Sequence, residues 1–308
     1  MYQKVINTFY RIPRSKMREI TRFGGYLSYL KLKQSKKQMI EKSTDLPPMR
    51  SFESGLPIYF LTGKKYLYQT LFCIRSLFKV SQEKFCIYLI DDGSFDEKFI
   101  SQVNKQLPGA IIVDSATIAK NIDSKLPHEE YPAIRNKRKI YPHLKKLTDI
   151  HTLSNNDQWK LVLDSDMLFW SNPKQMIDWL KAPEKPLYML DSQRSYGYSI
   201  ELMESLCNDQ VPDLVNVGLI GLASQSINWN DIEKWIVRLE EAEGTSYYLE
   251  QALSAMLINS KSSLILPKKD YIVYPSSEEI INNQGILHHY VDLSKKEYFN
   301  TEWQKVFI

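Results

Sequence analysis

Apolar residues in this chain alternate between short continuous runs and stretches where they recur every three or four positions. Ile58-Tyr59-Phe60-Leu61 is a run that ends at Thr62-Gly63, and Leu67, Leu71, Ile74, Leu77 and Phe78 then follow at helical spacing. Phe85 to Ile90 is a second run, closed by Asp91-Asp92-Gly93-Ser94. Pro108-Gly109 introduces a third, Ile111-Ile112-Val113. Strand, helix, strand in this rhythm predicts an α/β fold with a mainly parallel central sheet and helices on both faces. Ligands of such sheets bind outside the carboxyl ends of the strands, which puts Thr62, Asp91, Asp92 and Asp114 on the rim. A nucleotide suits that position.

Further along, residues 117–141 are polar and basic, with Arg135, Lys137, Arg138 and Lys139 close together, and read as a loop or short helix over the rim. Tyr141-Pro142 opens a helix carrying Leu144, Leu147 and Ile150, followed by a turn at Ser154-Asn155-Asn156-Asp157. Asn172-Pro173 reads as an N-cap with proline at the first helical position, ahead of Met176, Ile177 and Leu180. Leu187 to Leu190 is a strand ending at Asp191. Leu214 to Ile220 is another, interrupted by Asn216 and by Gly218, where a glycine signals a bulge or the close approach of another group. A helix through Ile232, Trp235, Ile236 and Leu239 comes next, then one from about Ser246, with Glu250 and Gln251 off its apolar face. A strand pair, 264–266 with 271–274, precedes the tail Ile286-Leu287-His288-His289-Tyr290.

The stretch that stands out is Leu161 to Trp170, where Asp164-Ser165-Asp166 breaks an otherwise apolar run. Carboxylates at i and i+2 share one side of a strand and repel unless a cation or proton lies between them. Hard oxygen ligands suit magnesium, manganese or calcium. The plainer alternative is a strand end turning into solvent.

Of the 308 residues, 43% are hydrophobic, enough for a large core. The formal net charge of +4 is unevenly spread. Met1 to Lys42 holds 11 Lys and Arg against 2 Asp and Glu, while the remainder holds 29 against 34, so the arm is +9 and the rest −5. Apolar residues (Ile6, Phe9, Tyr10, Ile12, then Phe23, Tyr26, Leu27, Tyr29, Leu30 and Leu32) are mixed among those charges. That blend fits an interfacial helix on anionic lipid or a basic helix docked on the main domain; no nucleic-acid-binding module accompanies it. Thr44-Asp45-Leu46-Pro47-Pro48 marks a linker, so residues 1–55 are expected to be a basic helical arm and 56–308 the main domain. Cys73, Cys86 and Cys207 lie in apolar segments without C-x-x-C spacing, which predicts reduced thiols. Without an apolar run of about 20 residues or a signal-peptide pattern, the expected location is the cytoplasm or the cytosolic face of a membrane.

With these pieces in place, residues 57–296 resemble a metal-dependent GT-A glycosyltransferase, nearest the family 8 type. Thr62, Tyr66 and Ser76-Leu77 match that family's first strand and helix; Asp164 and Asp166 match its D-x-D; Asn216 and Gly218 match its asparagine-x-glycine. The resemblance implies that the acids hold a divalent ion, Mn2+ or Mg2+, on the diphosphate of a sugar nucleotide, and that Asn216 faces the donor sugar or acceptor. It further implies that Glu250-Gln251 lies near the anomeric carbon, with Ala252 in place of the family's second acid. Lys146 corresponds to a donor-binding lysine. His289 and Lys295 fit a metal-binding histidine and a diphosphate-binding lysine, although Asp292 replaces the family's glycine and Glu297 its tryptophan. Asp91-Asp92-Gly93-Ser94 resembles instead the D-D-G-S of family 2, whose first acid contacts the base.

The function expected is therefore sugar transfer from a nucleotide sugar, a UDP-sugar by the resemblance, to a glycan or lipid-linked acceptor. Catalytic candidates are Glu250, Gln251, Asp191 and Asn216; donor-binding candidates are Thr62, Tyr66, Asp91, Lys146, Asp164, Ser165, Gly218 and Lys295; metal candidates are Asp164, Asp166 and His289. His288 and His289 point opposite ways on a strand, so only one can be a ligand. An inverting reaction needs a general base, for which Asp191, Asp213 and Glu250 qualify. Two other functions share the same sheet: a sugar-phosphate nucleotidyltransferase, which wants a glycine-rich, arginine-bearing loop where Thr62-Gly63-Lys64-Lys65 has one glycine and no arginine, and an inactive scaffold at a membrane.

Overall fold

The structure is a computed structural model that describes residues 12–154, 158–258 and 262–307. Ile6, Phe9 and Tyr10 of the arm, and three residues of the turn 154–157, lie outside them. Seven strands form the main sheet: β1 (Leu56–Thr62), β2 (Phe85–Asp91), β3 (Ile111–Val113), β4 (Trp159–Leu163), β6 (Leu187–Leu190), β7 (Val215–Ala223) and β8 (Leu264–Leu266). Their order is β3-β2-β1-β4-β7-β6-β8, and every neighbouring pair is parallel except those made by β7. A second sheet joins β5 (Met167–Phe169), β9 (Tyr271–Val273) and β10 (Leu287–His289) in the order β5-β10-β9.

The apolar runs form strands because both faces of the main sheet are covered. Ile58 and Phe60 face one buried cluster and Tyr59 the other; Leu161 and Leu163 likewise oppose Val162. That is the two-residue period of a pleated strand expressed as two cores. The first core holds the helix Leu67–Val80, the arm helix Tyr26–Ser43 and the chain's end; the second holds the helices Trp229–Glu243 and Leu249–Met256. Tyr29, Leu32 and Met39 place the arm helix in the first core, in the same cluster as Phe299 and Trp303.

Several expectations change. Residues 115–140 contain two helices, Ser115–Lys125 and Pro132–Ile140, and three of the basic residues are paired: Arg138 grips the fully buried Asp149, Lys137 meets Glu240, and Arg135 meets the exposed Asp123. The segments at 264–266 and 271–273 do not pair with each other; the first adds to the main sheet beside β6 and the second belongs to the small sheet beside β10. The helix after Asn172 begins at Lys174, one residue late, and the helix Ile200–Cys207 has no counterpart in the sequence reading. The helix carrying Glu250 and Gln251 starts at Leu249 and is buried on every side, so these two residues are inside rather than on a polar face.

Candidate active site

The acid pair lies where the chain passes from one sheet to the other. β4 ends at Leu163, residues 164–166 bend, and β5 resumes in the small sheet at Met167. The run Leu161–Trp170 is thus two strands in two sheets rather than one interrupted strand. Asp164 N donates to Gly218 O (2.7 Å), prolonging the β4–β7 ladder; Tyr290 N donates to Asp166 O (2.9 Å) on the far side. Phe169 N donates to Ser76 Oγ (2.9 Å), which accounts structurally for a serine late in that helix. β10 runs antiparallel to β5 with His289 opposite Met167, and this brings a histidine from the chain's end beside Asp166.

His289 Nε2 lies 3.3 Å from Asp166 Oδ1 and 3.7 Å from Asp164 Oδ2. One donor atom from each of these three residues falls within 4.8 Å of the others, and they form the one such metal-capable group among the described residues. The imidazole is held in place by its neighbours. Its Nδ1 lies 3.2 Å from Asn216 Oδ1, which also accepts from Gly218 N (2.9 Å), while Asn216 Nδ2 donates to Asp191 Oδ2 (3.1 Å). The amide is therefore oriented by a backbone donor on one side and a carboxylate on the other. An oxygen facing Nδ1 requires a proton there, so Nε2 is the ring atom that a metal would use on the side of the acids. Two carboxylates and an imidazole so arranged fit a manganese- or magnesium-type ion. His288 points away, with Nε2 on Gln284 O (2.6 Å) and Nδ1 near Tyr290 Oη (3.2 Å), and is a core residue.

Gly218 is where close approach was expected, and the approaching group is His289. A Cβ added there would stand 2.4 Å from His289 Cε1 and 2.7 Å from Nδ1, distances no side chain tolerates. The β6–β7 register also shifts beside it, between Tyr188 and Met189, so a bulge is present too.

Two lysines flank the acids. Lys146 Nζ lies 3.0 Å from Asp164 Oδ1 and 3.7 Å from Glu250 Oε2; Lys295 Nζ lies 3.0 Å from Asp166 Oδ2. Burial alone would push the Lys146 ammonium down, but Asp164 and Glu250 outweigh it and hold it above the usual lysine range. Burial likewise works to raise Asp166, yet Lys295 and His289 keep it well below the ordinary carboxylate range. Glu250 goes the other way: burial lifts its carboxyl from 4.5 to about 7 despite Lys146, with Asp164 adding to the rise.

Other candidates divide by what occupies them. Asp191 accepts from Ser192 N, Asn216 Nδ2 and Gln251 Nε2 (3.0 Å) and so braces the histidine's support. Asp213 pairs with Arg194 at the surface. Asp91 Oδ1 accepts from Gly93, Ser94 and Phe95 amides and Oδ2 from the Ser115 hydroxyl, capping the turn after β2. Thr62, Thr70 and Ser165 form a hydroxyl chain at 2.8 Å per step between β1 and the acid pair, and Tyr66 is exposed nearby. Sequence reasoning missed Thr70. It also missed an aromatic group at the rim: the His143 ring is 5.3 Å from Tyr141 and 5.1 Å from the exposed Tyr247, and the charges of Lys146, Asp164 and Lys295 act on both His143 and Tyr247.

Asp292, standing where the resemblance wants glycine, has φ 52°, the left-handed conformation that glycine favours. Its carboxylate pairs with Arg22 of the helix Ile12–Arg22, tying the tail loop to the arm.

No protein-family model and no curated protein sequence matches the chain. Solved structures do. A bifunctional glycosyltransferase, WbbM, in its apo form superposes with a TM-score of 0.51 at 11% identity, over 83% of this chain and 52% of the other. The fold is GT-A. This chain spans about half the length of WbbM. The galactosyltransferase LgtC, solved with donor and acceptor sugar analogues, matches at TM-score 0.49 and 12% identity over 76% and 86% of the two chains. Mouse xyloside xylosyltransferase 1 matches at 0.48 and 11% over 83% and 95%. In a GT-A sheet the acid pair stands at the carboxyl ends of β1 and β4, the edge at which open α/β sheets take ligands.

Proposed function

We propose that this chain is a metal-dependent glycosyltransferase that moves a sugar from a nucleotide-sugar donor, UDP-linked, to a glycan or lipid-linked acceptor. The observation that carries the reading is the convergence of Asp164, Asp166 and His289 from two sheets on one point at the ligand-binding edge. Bound there, a manganese or magnesium ion supplies Lewis acidity to a leaving diphosphate. Lys146 and Lys295, each within 3.0 Å of one of the acids, are placed to receive the remaining phosphate charge. Ser165, braced through the buried Thr70 on Thr62, offers a hydroxyl to the nucleoside end of the donor. Gln251 and Asn216, both anchored on Asp191, hold the floor of the sugar pocket. Glu250, near neutrality in its affinity for a proton, is the group able to give or take one beside Lys146. The rings of Tyr141, His143 and Tyr247 offer apolar faces on which an acceptor sugar rests.

A thermal-shift series with UDP, UDP-glucose, UDP-galactose and UDP-N-acetylglucosamine, each with and without manganese, tests the reading. Stabilisation by a UDP-sugar that requires manganese supports it, and equal shifts without metal, or none, count against it. NMR of the product anomer then separates retention, which needs no protein base, from inversion through Glu250.

A further inference from the structure

The two helices of the arm meet at a corner that presents apolar and basic groups together. The helix Tyr26–Ser43 buries Tyr29, Leu32, Ser35 and Met39 along one face. On the opposite face Leu27 is 82% exposed and Leu30 43%, and Met17 of the first helix and Tyr26 at the start of the second are each 63% exposed. The same two helices carry the exposed cations Arg18, Lys31, Lys33 and Lys37; Arg18, Lys31 and Lys33 make no ion pair among the described residues. Leucines on the face turned away from the core, on an arm this rich in exposed cations, suit an occupant that is apolar just beneath an anionic surface.

We infer that this corner docks the protein on an anionic lipid bilayer, with Leu27 and Leu30 entering the boundary between headgroups and acyl chains. Lipid fits better than a second protein, because four side chains fall far short of the roughly 1,200 Å² that a specific protein interface buries. It fits better than nucleic acid, whose phosphates attract lysines and arginines but give outward leucines nothing to enter. Shallow insertion plus diffuse charge is what the corner supplies, and among the described residues no helix is long and apolar enough to cross a membrane. The rest of the chain carries −5, so the attraction is local to the arm. Because the buried face of this helix packs with Phe299, and Arg22 holds Asp292, docking fixes the tail loop that carries Lys295 relative to the surface. The inference does not depend on the reading of the active site.

Sedimentation of the full chain with vesicles tests it. Phosphatidylcholine vesicles containing about 30% phosphatidylglycerol should pellet the protein at about 0.1 M salt and release it at about 1 M, as the Debye length falls from about 10 Å to about 3 Å. Each lysine near such a surface multiplies partitioning roughly fivefold, so Lys31→Gln with Lys33→Gln should lower it roughly 25-fold. Leu27→Ser with Leu30→Ser should lower it at least about tenfold. Both pairs are exposed, so unchanged melting temperatures show that the fold is intact. Equal binding to pure phosphatidylcholine, insensitivity to salt, or wild-type binding by the leucine pair overturns the inference. So does a short DNA duplex that displaces the vesicles and is bound equally well by the leucine pair, which would assign the corner to nucleic acid.

Discussion

The two sheets that meet at Asp164–Asp166 are built on different principles. The main sheet has seven strands, of which β1, β2 and β3 follow one another in the chain, and it is covered by a buried cluster on each face. The small sheet joins three strands of three residues each from positions 167–169, 271–273 and 287–289. One is broad and covered on both faces, the other small and assembled from three short segments. Asp164, Lys146 and Asn216 belong to the main sheet or the helices against it, whereas Asp166, His289 and Lys295 lie on or beside the small sheet. Half of the site therefore stands on the seven-stranded sheet, and the other half on three strands of three residues each.

Removing one lysine from each side should expose the difference. The Lys146 side chain is 10% exposed and bridges Asp164 and Glu250, so Lys146→Met should cost about 3–5 kcal/mol in chemical denaturation by leaving carboxylates buried without their cation. Lys295 is 39% exposed and its partner Asp166 keeps His289, so Lys295→Met should cost about 1 kcal/mol or less. Equal losses would erase the distinction.

The Lys146 side should also carry a pH signature. The carboxyl of Glu250 is raised from 4.5 to about 7, so the stability it contributes is fully present below pH 4.5 and lost as pH rises through about 7. The groups that face it are Lys146, Asp164 and Tyr141. The full effect at alkaline pH is about 3 kcal/mol, reduced to the extent that Lys146 compensates. Melting temperatures measured from pH 5 to 9 without metal should fall for the native chain and fall less for Glu250→Gln; parallel curves would contradict this.

Where β7 of the main sheet meets His289 of the small one, the effects should appear in metal affinity. Asn216→Ala removes the acceptor that fixes the His289 tautomer and should weaken manganese binding about 10–100-fold. Gly218→Ala should weaken it at least as much, because its methyl would occupy the space of the imidazole. Binding within about twofold of native in both variants would remove the support assigned to His289. The smallest change is Asp292→Gly, which relieves a left-handed backbone but breaks the exposed pair with Arg22; its net effect on unfolding should stay within about 1 kcal/mol.

How much of this was legible follows the same division. β1, β2 and β3 were readable to within two residues because each is a continuous apolar run. Tyr271–Val273 was recognisable as a strand but not its partner, since the sequence carries no sign that β10 rather than β8 lies beside it. The helices over residues 115–140 were hidden by their charge: Arg138 and Lys137 look solvated until Asp149 and Glu240 are placed against them. In the site, the acid pair interrupting an apolar run was visible directly, and His289 could be favoured over His288 only through motif register. Nothing local announced that Asn216 and Asp191 serve the histidine, because that role exists only once β10 has docked against β5 and β7 has placed its bulge.

The most direct test is calorimetric titration of UDP into the native chain and Asp166→Ala, each with and without manganese. Binding by the native chain that needs the metal, with a loss of at least about 100-fold in the variant while its circular dichroism spectrum stays native, is the result expected if Asp164, Asp166 and His289 share one ion. Manganese-dependent UDP binding retained in Asp166→Ala would contradict the account.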